Sequence, residues 1–525
     1  MNAHPPQDAG SELGRRYVTD FTQVESFYAG DYRRIEHLAL HANRLFSRTW
    51  AARFDRALTA DLVQAYTDQH PAPQAVREAV ARLRDPACVC VVTGQQAGLG
   101  GGPALALYKA LTALRLAREL EQAAGLPCVA VFWNASDDSD LEEVNRLRSV
   151  DGAGNLRKFR FPMQAGKRPV RDVALPGPED PLWQQACEAL GDGPWSARAQ
   201  LLLRDSAGRD FGSAFTRLLH ELLGPRGLVV IEPRALTSHP QWKRVLACEL
   251  ELRQEHRLGL QRAFDRLEAL GLPPGVSPST HLNLFALVEG ERRHVTDEGR
   301  LLQVEGRPPA ISRTALLKQL RAQPGLFTPS VLLRPVVQNA IFPTVAYVGG
   351  PSEIAYHGLL KGLHRSAQVF MPLLFPRLSL TVLDGTDAPR FDDLVAFRRQ
   401  LGWRQGEAAV AAESARRGME QAFAGLQDDL RTLARPLEND INRLQQRTQR
   451  AIGEVMNRIE HEPLRIFPGG DEYGPVLGKY FPENRPQERV VTVLALLARY
   501  GPRLLDAIDQ HPDLFDFNHH VVVAS

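Results

Sequence analysis

Apolar and β-branched residues form short, uninterrupted runs along the first three quarters of the chain, and stretches with helical periodicity lie between them. Runs that are apolar throughout, rather than alternately apolar and polar, are typical of parallel strands with both faces buried. Because these runs alternate with helical patterns, the sequence predicts an α/β fold with a doubly wound parallel sheet. The predicted strands are Cys88–Thr93, Pro127–Trp133, Gly227–Glu232, Val331–Val337 and Val369–Leu374.

Polar stretches that contain proline and glycine separate these strands. We interpret them as insertions into a core that spans residues 1–385, at about residues 151–226 and 233–330. In the second insertion, two strand-like runs flank Glu289-Gly290. This dipeptide predicts the turn of a β-hairpin.

The pattern changes over residues 386–465, where apolar residues recur in steps of three and four. Such steps predict the seam of a packed helix pair or of an α-helical coiled coil. Pro436 either begins a second helix there or kinks a continuous one. Residues 466–525 contain a predicted helix, Gln487–Tyr500, and a short strand, Val521–Ala524, and we expect this segment to pack back on the core. The seam positions are Leu426, Leu430, Leu433, Leu437, Ile441, Leu444, Thr448, Ile452, Val455 and Ile459.

The composition is that of a globular protein. Of the 525 residues, 44% are apolar and 24% are charged, so we expect neither disorder nor a fibrous repeat. The longest apolar run, Val490–Ala498, is far shorter than the roughly 20 residues that cross a membrane. The first residues lack the apolar segment of a secretory signal. We therefore expect a cytoplasmic protein.

Charge and cysteine content exclude further classes. The 63 basic and 61 acidic residues give a net charge of +2, which offers no general attraction to nucleic acid or to a membrane surface. The five cysteines contain no C-x-x-C pair, so we expect buried, reduced thiols rather than disulfides or a zinc site.

The first candidate for chemistry is a glycine-rich loop that follows the strand ending at Thr93. Backbone N–H groups at such a junction favour an anion, although the loop lacks the lysine of a P-loop. The alternative is a tight turn that needs glycine for its backbone geometry. Because Gln95 and Gln96 are not needed for such a turn, we favour a binding loop. Its glycines are Gly98, Gly100, Gly101 and Gly102.

The second candidate is an acidic stretch that follows the strand ending near Asn134. Residues after a parallel strand project at the carboxyl edge of the sheet, where doubly wound folds bind ligands. Crowded carboxyls raise at least one pKa, which suits a general base or the oxygen ligands of a hard cation. The alternative is an acidic first turn that complements a helix dipole. The acids are Asp137, Asp138, Asp140, Glu142 and Glu143.

The third candidate repeats the arrangement of the first. Gly349-Gly350-Pro351 precedes a predicted helix with Glu353 in its first turn. Tyr356 follows this proline at the same offset as Tyr108 follows Pro103. Two similar junctions favour a site assembled from both halves of the sheet.

An apolar run before the third candidate contains Arg334 and Gln338. An unpaired buried charge is costly, so Arg334 needs an acidic partner from the protein or from a ligand.

Four blocks of sequence carry these candidates and occur in order between about residue 15 and the end of the chain: VVTGQQAGLGGGP, FWNASDDSDLEEVN, LLRPVVQNAIFPTVAYVGGPSEIAY and PENRPQERV. Together they resemble the bacillithiol biosynthesis cysteine-adding enzyme family. The resemblance implies a Rossmann-like core with connecting insertions, distantly similar to class I aminoacyl-tRNA synthetases. It also implies a homodimer paired through the coiled coil. The implied activity is that of a ligase that adds L-cysteine to the amine of glucosaminyl-malate, forming the low-molecular-weight thiol bacillithiol.

The acidic block departs from the usual pattern of that family. Asn134, Asp137 and Ser139 stand where Ile, Glu and His are usual, and Asn339 stands in place of an acid. The HIGH and KMSKS signatures of class I synthetases are absent from the sequence, so no motif shows ATP binding.

Joining a carboxylate to an amine is uphill in water, so the implied reaction leads us to expect ATP and Mg²⁺. We expect phosphates or substrate carboxylates on the loop Gly98–Gly102, with Gly349 and Gly350 as a second anion loop. One of Asp137, Asp138 or Asp140 would take the ammonium proton or hold Mg²⁺. Arg334 would pair with a malate carboxylate. The residues expected to bind substrate are Thr93, Gln95, Gln96, Asn134, Arg334, Gln338, Glu353 and Tyr356.

Two other functions stay open. One is a different adenylate-forming ligase on the same core, which would be identified by the amine that triggers release of pyrophosphate or ADP. The other is a non-catalytic coiled-coil scaffold, which would dimerise without ATP-dependent chemistry.

Overall fold

The computed structural model describes residues 11–299, 301–430, 438–461, 470–510 and 513–524. These residues form two compact units. The first takes in the described residues of Met1–Ser149, Arg157–Val382 and Arg485–Val522, and the second those of Val150–Leu156, Leu383–Asn484 and Val523–Ser525.

The strands, in chain order, are β1 Val89–Gln95, β2 Cys128–Asn134, β3 Leu147–Val150, β4 Leu156–Phe159, β5 Val229–Ile231, β6 His281–Val288, β7 Glu291–Asp297, β8 Leu301–Val304, β9 Arg307–Ser312, β10 Phe327–Pro329, β11 Thr344–Gly349, β12 Leu373–Pro376, β13 Ser379–Asp384 and β14 His519–Ala524.

The α-helices are α1 Glu12–Thr19, α2 Ile35–Leu45, α3 Arg48–Ala51, α4 Arg56–Thr67, α5 Gln74–Arg82, α6 Leu105–Ala124, α7 Leu141–Val144, α8 Leu182–Glu188, α9 Ser196–Arg204, α10 Phe211–Leu223, α11 Pro240–Glu251, α12 Arg253–Ala269, α13 Arg313–Ala322, α14 Arg334–Ile341, α15 Pro351–His357, α16 Lys361–Ser366, α17 Phe391–Leu430, α18 Glu438–His461, α19 Gly470–Tyr480, α20 Gln487–Val490, α21 Val493–Tyr500 and α22 Arg503–Asp509.

Five parallel strands form the central sheet of the first unit, in the order β12-β11-β1-β2-β5. Every residue of β2 is buried, and so is every residue of β1 except the last. Burial on both faces explains why the sequences of these strands are almost continuously apolar. The order of the strands along the chain reverses between β1 and β11. A Rossmann-like sheet of this order opens a crevice at the carboxyl ends of those two strands. The predicted fold class is confirmed.

Three of the five predicted strands are confirmed, and two differ. Val331–Val337 is wrong as a strand, because helix α14 begins there and Pro335 suits the first turn of a helix. The strand of this region is β11, which begins at Thr344. The strand predicted at Val369–Leu374 lies slightly later, as β12. A short apolar run by itself does not distinguish a buried helix from a buried strand.

The second insertion forms an antiparallel sheet in the order β10-β6-β7-β8-β9. The predicted hairpin consists of β6 and β7. At its turn Glu289 and Gly290 have φ angles of 53° and 80°. Positive φ at both turn residues is typical of the two-residue hairpin turn that the sequence predicts.

Residues 485–522 lie in the first unit. The predicted helix Gln487–Tyr500 is two helices, α20 and α21, because Val491 and Thr492 between them are extended. These residues run beside the glycine-rich loop, where the N–H of Val493 donates to the carbonyl oxygen of Gly102 (2.9 Å). The predicted strand at the end of the chain is confirmed as part of β14.

In the second unit, the long helices α17 and α18 contact each other, and Gln427 Nε2 donates to Asn442 Oδ1 (2.9 Å). Pro436, for which the sequence left open a second helix or a kink, lies outside the described residues, as do the seam positions Leu433 and Leu437.

A buried charged pair joins α11 and α12 away from the crevice. Glu249 Oε2 lies 2.6 Å from His256 Nδ1, and Glu249 Oε1 accepts from the backbone N–H of Asn283 (2.8 Å). Burial opposes the charge of the imidazole, but Cys248 and Glu249 beside it raise the pKa of His256 to about 9.

Four of the five free cysteines are buried, as expected, whereas Cys248 is half-buried. In the part of the chain that the structure describes, no helix is both long enough and apolar enough to span a membrane.

Candidate functional site

A cavity of about 540 Å³ lies at the carboxyl edge of the central sheet, within the first unit. Three parts of the chain form its walls: the ends of β1, β2 and β11, the inserted antiparallel sheet, and the C-terminal segment that contains Arg485. The predicted site residues that line it are Gln95, Gln96, Asp137, Asp138, Arg334, Gly350, Glu353 and Tyr356.

A buried lysine connects the end of β1 to α15. Lys109 is 3% exposed, and its Nζ donates to the carbonyl oxygen of Gly94 (3.0 Å) and to Oε1 of Gln95 (2.9 Å). The same ammonium forms an ion pair with Glu353. The protein thus uses all three donors of this ammonium, and Lys109 positions Gln95 at the cavity.

Glu353 lines the cavity and is the centre of a hydrogen-bond network there. Its carboxylate accepts from the hydroxyl of Tyr347 (2.7 Å) and from the N–H of Gly350 (2.9 Å). Burial opposes ionisation, but Lys109, Arg334 and the N–H of Gly350 lower the pKa of Glu353 to about 2. Glu353 is therefore a fixed negative charge at neutral pH, which suits an anchor better than a base.

Arg334 has the acidic partner that its burial requires. Its Nη2 donates to the hydroxyl of Tyr356 (2.8 Å) and lies 4.0 Å from Glu353 Oε1. Burial opposes the charge, but Tyr356, Tyr347 and Glu353 raise the pKa of Arg334. Glu353 also pairs with Lys109, so this one carboxylate balances only part of the positive charge that Lys109 and Arg334 carry together.

Asp138 joins the acidic loop to the inserted sheet. Gln96 Nε2 donates to its Oδ2 (2.6 Å), and Arg292 Nη1 donates to its Oδ1 (3.1 Å). Arg292 also stacks over the ring of Phe285, with 4.1 Å between the guanidinium carbon and the ring centroid. Two elements far apart in sequence therefore fix this carboxylate at the cavity wall.

The other acids of the loop have separate roles. Asp137 forms an ion pair with Arg171, and both side chains are largely buried. Asp140 caps α7 by accepting the N–H of Glu143 (2.9 Å), and it does not line the cavity. The structure places Glu143 at the cavity instead. Asp140 matches the helix-terminus alternative considered for this stretch.

Three residues expected to bind substrate are buried and do not line the cavity. Thr93 Oγ1 donates to the carbonyl oxygen of Val348 (2.8 Å), and Asn134 Nδ2 donates to Thr216 Oγ1 (3.0 Å). Gln338 is buried in α14. The hydrogen bonds of Thr93 and Asn134 hold neighbouring elements together, so they support the cavity from below.

The C-terminal segment covers the glycine-rich loop. Gly98, Gly100, Gly101 and Gly102 are buried and, like Gly349, do not line the cavity. Gly101 has a φ of +93°, and a Cβ at this position would lie 2.8 Å from Cβ of Val493. These glycines therefore match the tight-turn alternative rather than an anion loop open to the cavity.

Several arginines of the cavity wall were not among the predicted site residues. Arg485 is exposed and forms no ion pair with any described residue. Arg489, which lines the same wall, is half-buried. Arg377 donates to Glu488 through both Nη atoms (2.8 and 2.7 Å). The PENRPQERV block contains two of these arginines, but their relation to the cavity needed the tertiary structure.

The cavity combines two kinds of chemistry. Guanidinium groups bind carboxylates or phosphates, and the acids of the 137–143 loop can accept a proton. Among the described residues, no group of three or more His, Cys, Asp or Glu side chains is placed to hold a metal ion. The arrangement suits an anionic substrate that carries an amine.

Comparison with known proteins agrees with this architecture. Residues 2–378 match the family model "Bacillithiol biosynthesis BshC, N-terminal Rossmann-like domain", and residues 391–524 match "Bacillithiol biosynthesis BshC, C-terminal coiled-coil domain". The chain is 30% identical to the "Putative cysteine ligase BshC" of Symbiobacterium thermophilum over 96% of both chains. It is 28% identical to the protein of the same name from Heliobacterium modesticaldum, also over 96% of both chains.

Proposed function

Because the chain belongs to the BshC family of bacillithiol biosynthesis, we propose that it is a ligase that adds L-cysteine to the amine of glucosaminyl-malate. The observation that carries the proposal is the cavity at the β1–β11 crevice, which brings arginines and acids together. The acceptor has both features that such a cavity recognises: carboxylates on its malyl part and an amine on its sugar.

The malyl carboxylates need cations at the cavity wall. We assign them to Arg485, which is exposed and lines the cavity, and to Arg334, because the single carboxylate of Glu353 is shared between Arg334 and Lys109. Bidentate pairing of guanidinium with carboxylate gives both strength and orientation. Gln95 and Gln96, held by Lys109 and Asp138, would orient the reacting groups nearby.

Amide formation from a carboxylate needs activation, so we propose ATP with Mg²⁺ as co-substrate. ATP supplies the activation of the cysteine carboxyl. The arginine-lined cavity fits an anion of this kind, whereas the buried loop Gly98–Gly102 does not present its N–H groups there. No residue is assigned to Mg²⁺, because Asp137 and Asp138 are already paired with arginines.

The test is mass spectrometry of the products formed by purified protein from cysteine, glucosaminyl-malate and Mg-ATP, with and without the nucleotide. Bacillithiol formed in the presence of ATP supports the proposal. A folded protein that gives no product with this acceptor refutes it, and release of pyrophosphate or ADP with another amine would point to the alternative ligase.

The substrate assignment has its own test. Arg485→Gln should raise KM for the acceptor by about tenfold to a hundredfold, the equivalent of one lost charged hydrogen bond. Arg503→Gln, which removes another exposed arginine of the same unit outside the cavity, is the matched control. Equal KM values for the two variants would remove Arg485 from acceptor binding.

We also propose that a second copy of the chain pairs with the coiled coil. Apolar side chains on α17 and α18 remain largely exposed in one copy, which favours burial against a partner. Val410, Leu444 and Val455 are 71%, 55% and 52% exposed. Sedimentation equilibrium should show a dimer that Leu444→Glu with Val455→Glu dissociates, and a monomeric wild type would refute it.

A further inference from the structure

The acid of the 137–143 loop that remains available for chemistry is one that the sequence did not favour. Asp137 and Asp138 are paired with Arg171 and Arg292, and Asp140 caps α7. Glu143 also lines the cavity, and the structure gives it no arginine or lysine as an ion-pair partner among the described residues.

The position of Glu143 is fixed by its backbone. Helix α7 has four residues, and its N-cap Asp140 accepts the N–H of Glu143 at 2.9 Å. The cap sets the start of the helix and so the direction in which position 143 projects. The neighbouring Glu142 differs: its carboxylate pairs with Arg160 (2.9 Å) and does not line the cavity.

Gln96, Asp138 and Glu143 line the same part of the cavity. Gln96 Nε2 donates to Asp138 Oδ2 (2.6 Å). Desolvation raises the pKa of Glu143 and the negative charges of Asp140 and Asp138 add to this, while Gln96 and Arg146 oppose it. A carboxyl whose pKa is shifted towards neutrality is a better proton acceptor at neutral pH.

We propose that Glu143 is the general base of the ligation, the group that takes the proton from the attacking amine. This inference rests on the proposed function. The amine nitrogen of the acceptor attacks the carbonyl carbon of cysteine activated as a mixed anhydride with phosphate. The C–N bond forms, the C–O bond to the phosphate breaks with its electron pair leaving on the phosphate oxygen, and the N–H proton moves to the Glu143 carboxylate.

The experiment separates activation from transfer. Wild type, Glu143→Gln, Glu143→Asp and the control Glu142→Gln are assayed with glucosaminyl-malate across a range of pH, and separately with hydroxylamine. Hydroxylamine attacks activated acyl groups without a general base, so the hydroxamate that it forms reports activation alone. Circular dichroism and thermal unfolding show that each variant is folded.

Loss of a general base lowers kcat by about 10²- to 10⁴-fold. We expect this loss with glucosaminyl-malate for Glu143→Gln, together with loss of the acidic limb of the pH profile. We also expect an unchanged hydroxamate rate, partial recovery in Glu143→Asp and wild-type behaviour in Glu142→Gln.

Two results would overturn the inference while leaving the proposed function intact. One is normal transfer by Glu143→Gln. The other is an equal loss of transfer and hydroxamate formation, which would place Glu143 in activation or in folding. A wild type that makes no product with this acceptor would instead refute the proposed function, and the inference with it.

Discussion

Removal of the Lys109 ammonium is the sharpest test of the network that holds the cavity. In Lys109→Met the side chain keeps its length and its apolar stem, but the buried Glu353 loses its ion pair with Lys109 and keeps only the more distant Arg334. The carbonyl oxygen of Gly94 and Oε1 of Gln95 lose a donor as well. The variant therefore isolates the effect of the charge with little change in volume.

The pKa of Glu353 gives the magnitude. Its fall from the ordinary 4.5 to about 2 corresponds to about 3 kcal/mol of folding free energy at neutral pH, to which Lys109, Arg334 and the N–H of Gly350 all contribute, with Lys109 as the largest favourable contributor. Breaking a buried ion pair by removing one partner costs about 3–5 kcal/mol. Because the folded-state pKa is depressed, this stability is present above pH 4.5 and is lost as the pH falls from 4.5 through about 2.

Urea unfolding followed by tryptophan fluorescence measures the effect in wild type, Lys109→Met, Glu353→Gln and the double variant. We expect Lys109→Met to be destabilised by about 3 kcal/mol, and the double variant to be less destabilised than the sum of its single changes. Lys318→Met, an exposed lysine on α13, should change stability by no more than about 0.5 kcal/mol. A similarly small effect for Lys109→Met, or additive single effects, would refute this account of the network.

Two further predictions concern the support of the core. His256, with its pKa raised to about 9, contributes stability that is fully present below pH 6.5 and is lost as the pH rises through 9. His256→Gln should therefore destabilise the protein in urea at pH 6 far more than at pH 10, and an equal effect at both would contradict the charged pair. Gly101→Ala should cost about 1–3 kcal/mol by overpacking against Val493, in addition to backbone strain. Gly125 also has a positive φ, but a Cβ added there would have no atom within 4 Å, so Gly125→Ala should show the backbone strain alone. Thermal unfolding of the two variants should therefore differ by the packing cost at Gly101.

The local sequence pattern was sufficient to predict those structural features that depend only on residues close together in the chain. The runs around Cys90 and Val131 predict buried parallel strands, because a strand covered on both faces is apolar at every position. Glu289-Gly290 predicts the hairpin turn, because its positive φ angles are a local requirement. The apolar run at Val331–Val337 shows the limit of local pattern. A buried helix and a buried strand can both be apolar at every position, so the strand predicted there was wrong.

The sequence by itself determined the fold class, the hairpin and the family resemblance, all of which depend on local periodicity and on ordered blocks. The tertiary structure decided which side chains meet. It buried the glycine loop under Val493, placed Glu143 rather than Asp140 at the cavity, and brought Arg292 and Arg485 to the end of β1. The physical reason is that burial and charge pairing depend on partners tens to hundreds of residues away. A local sequence pattern does not show which of these distant residues come into contact.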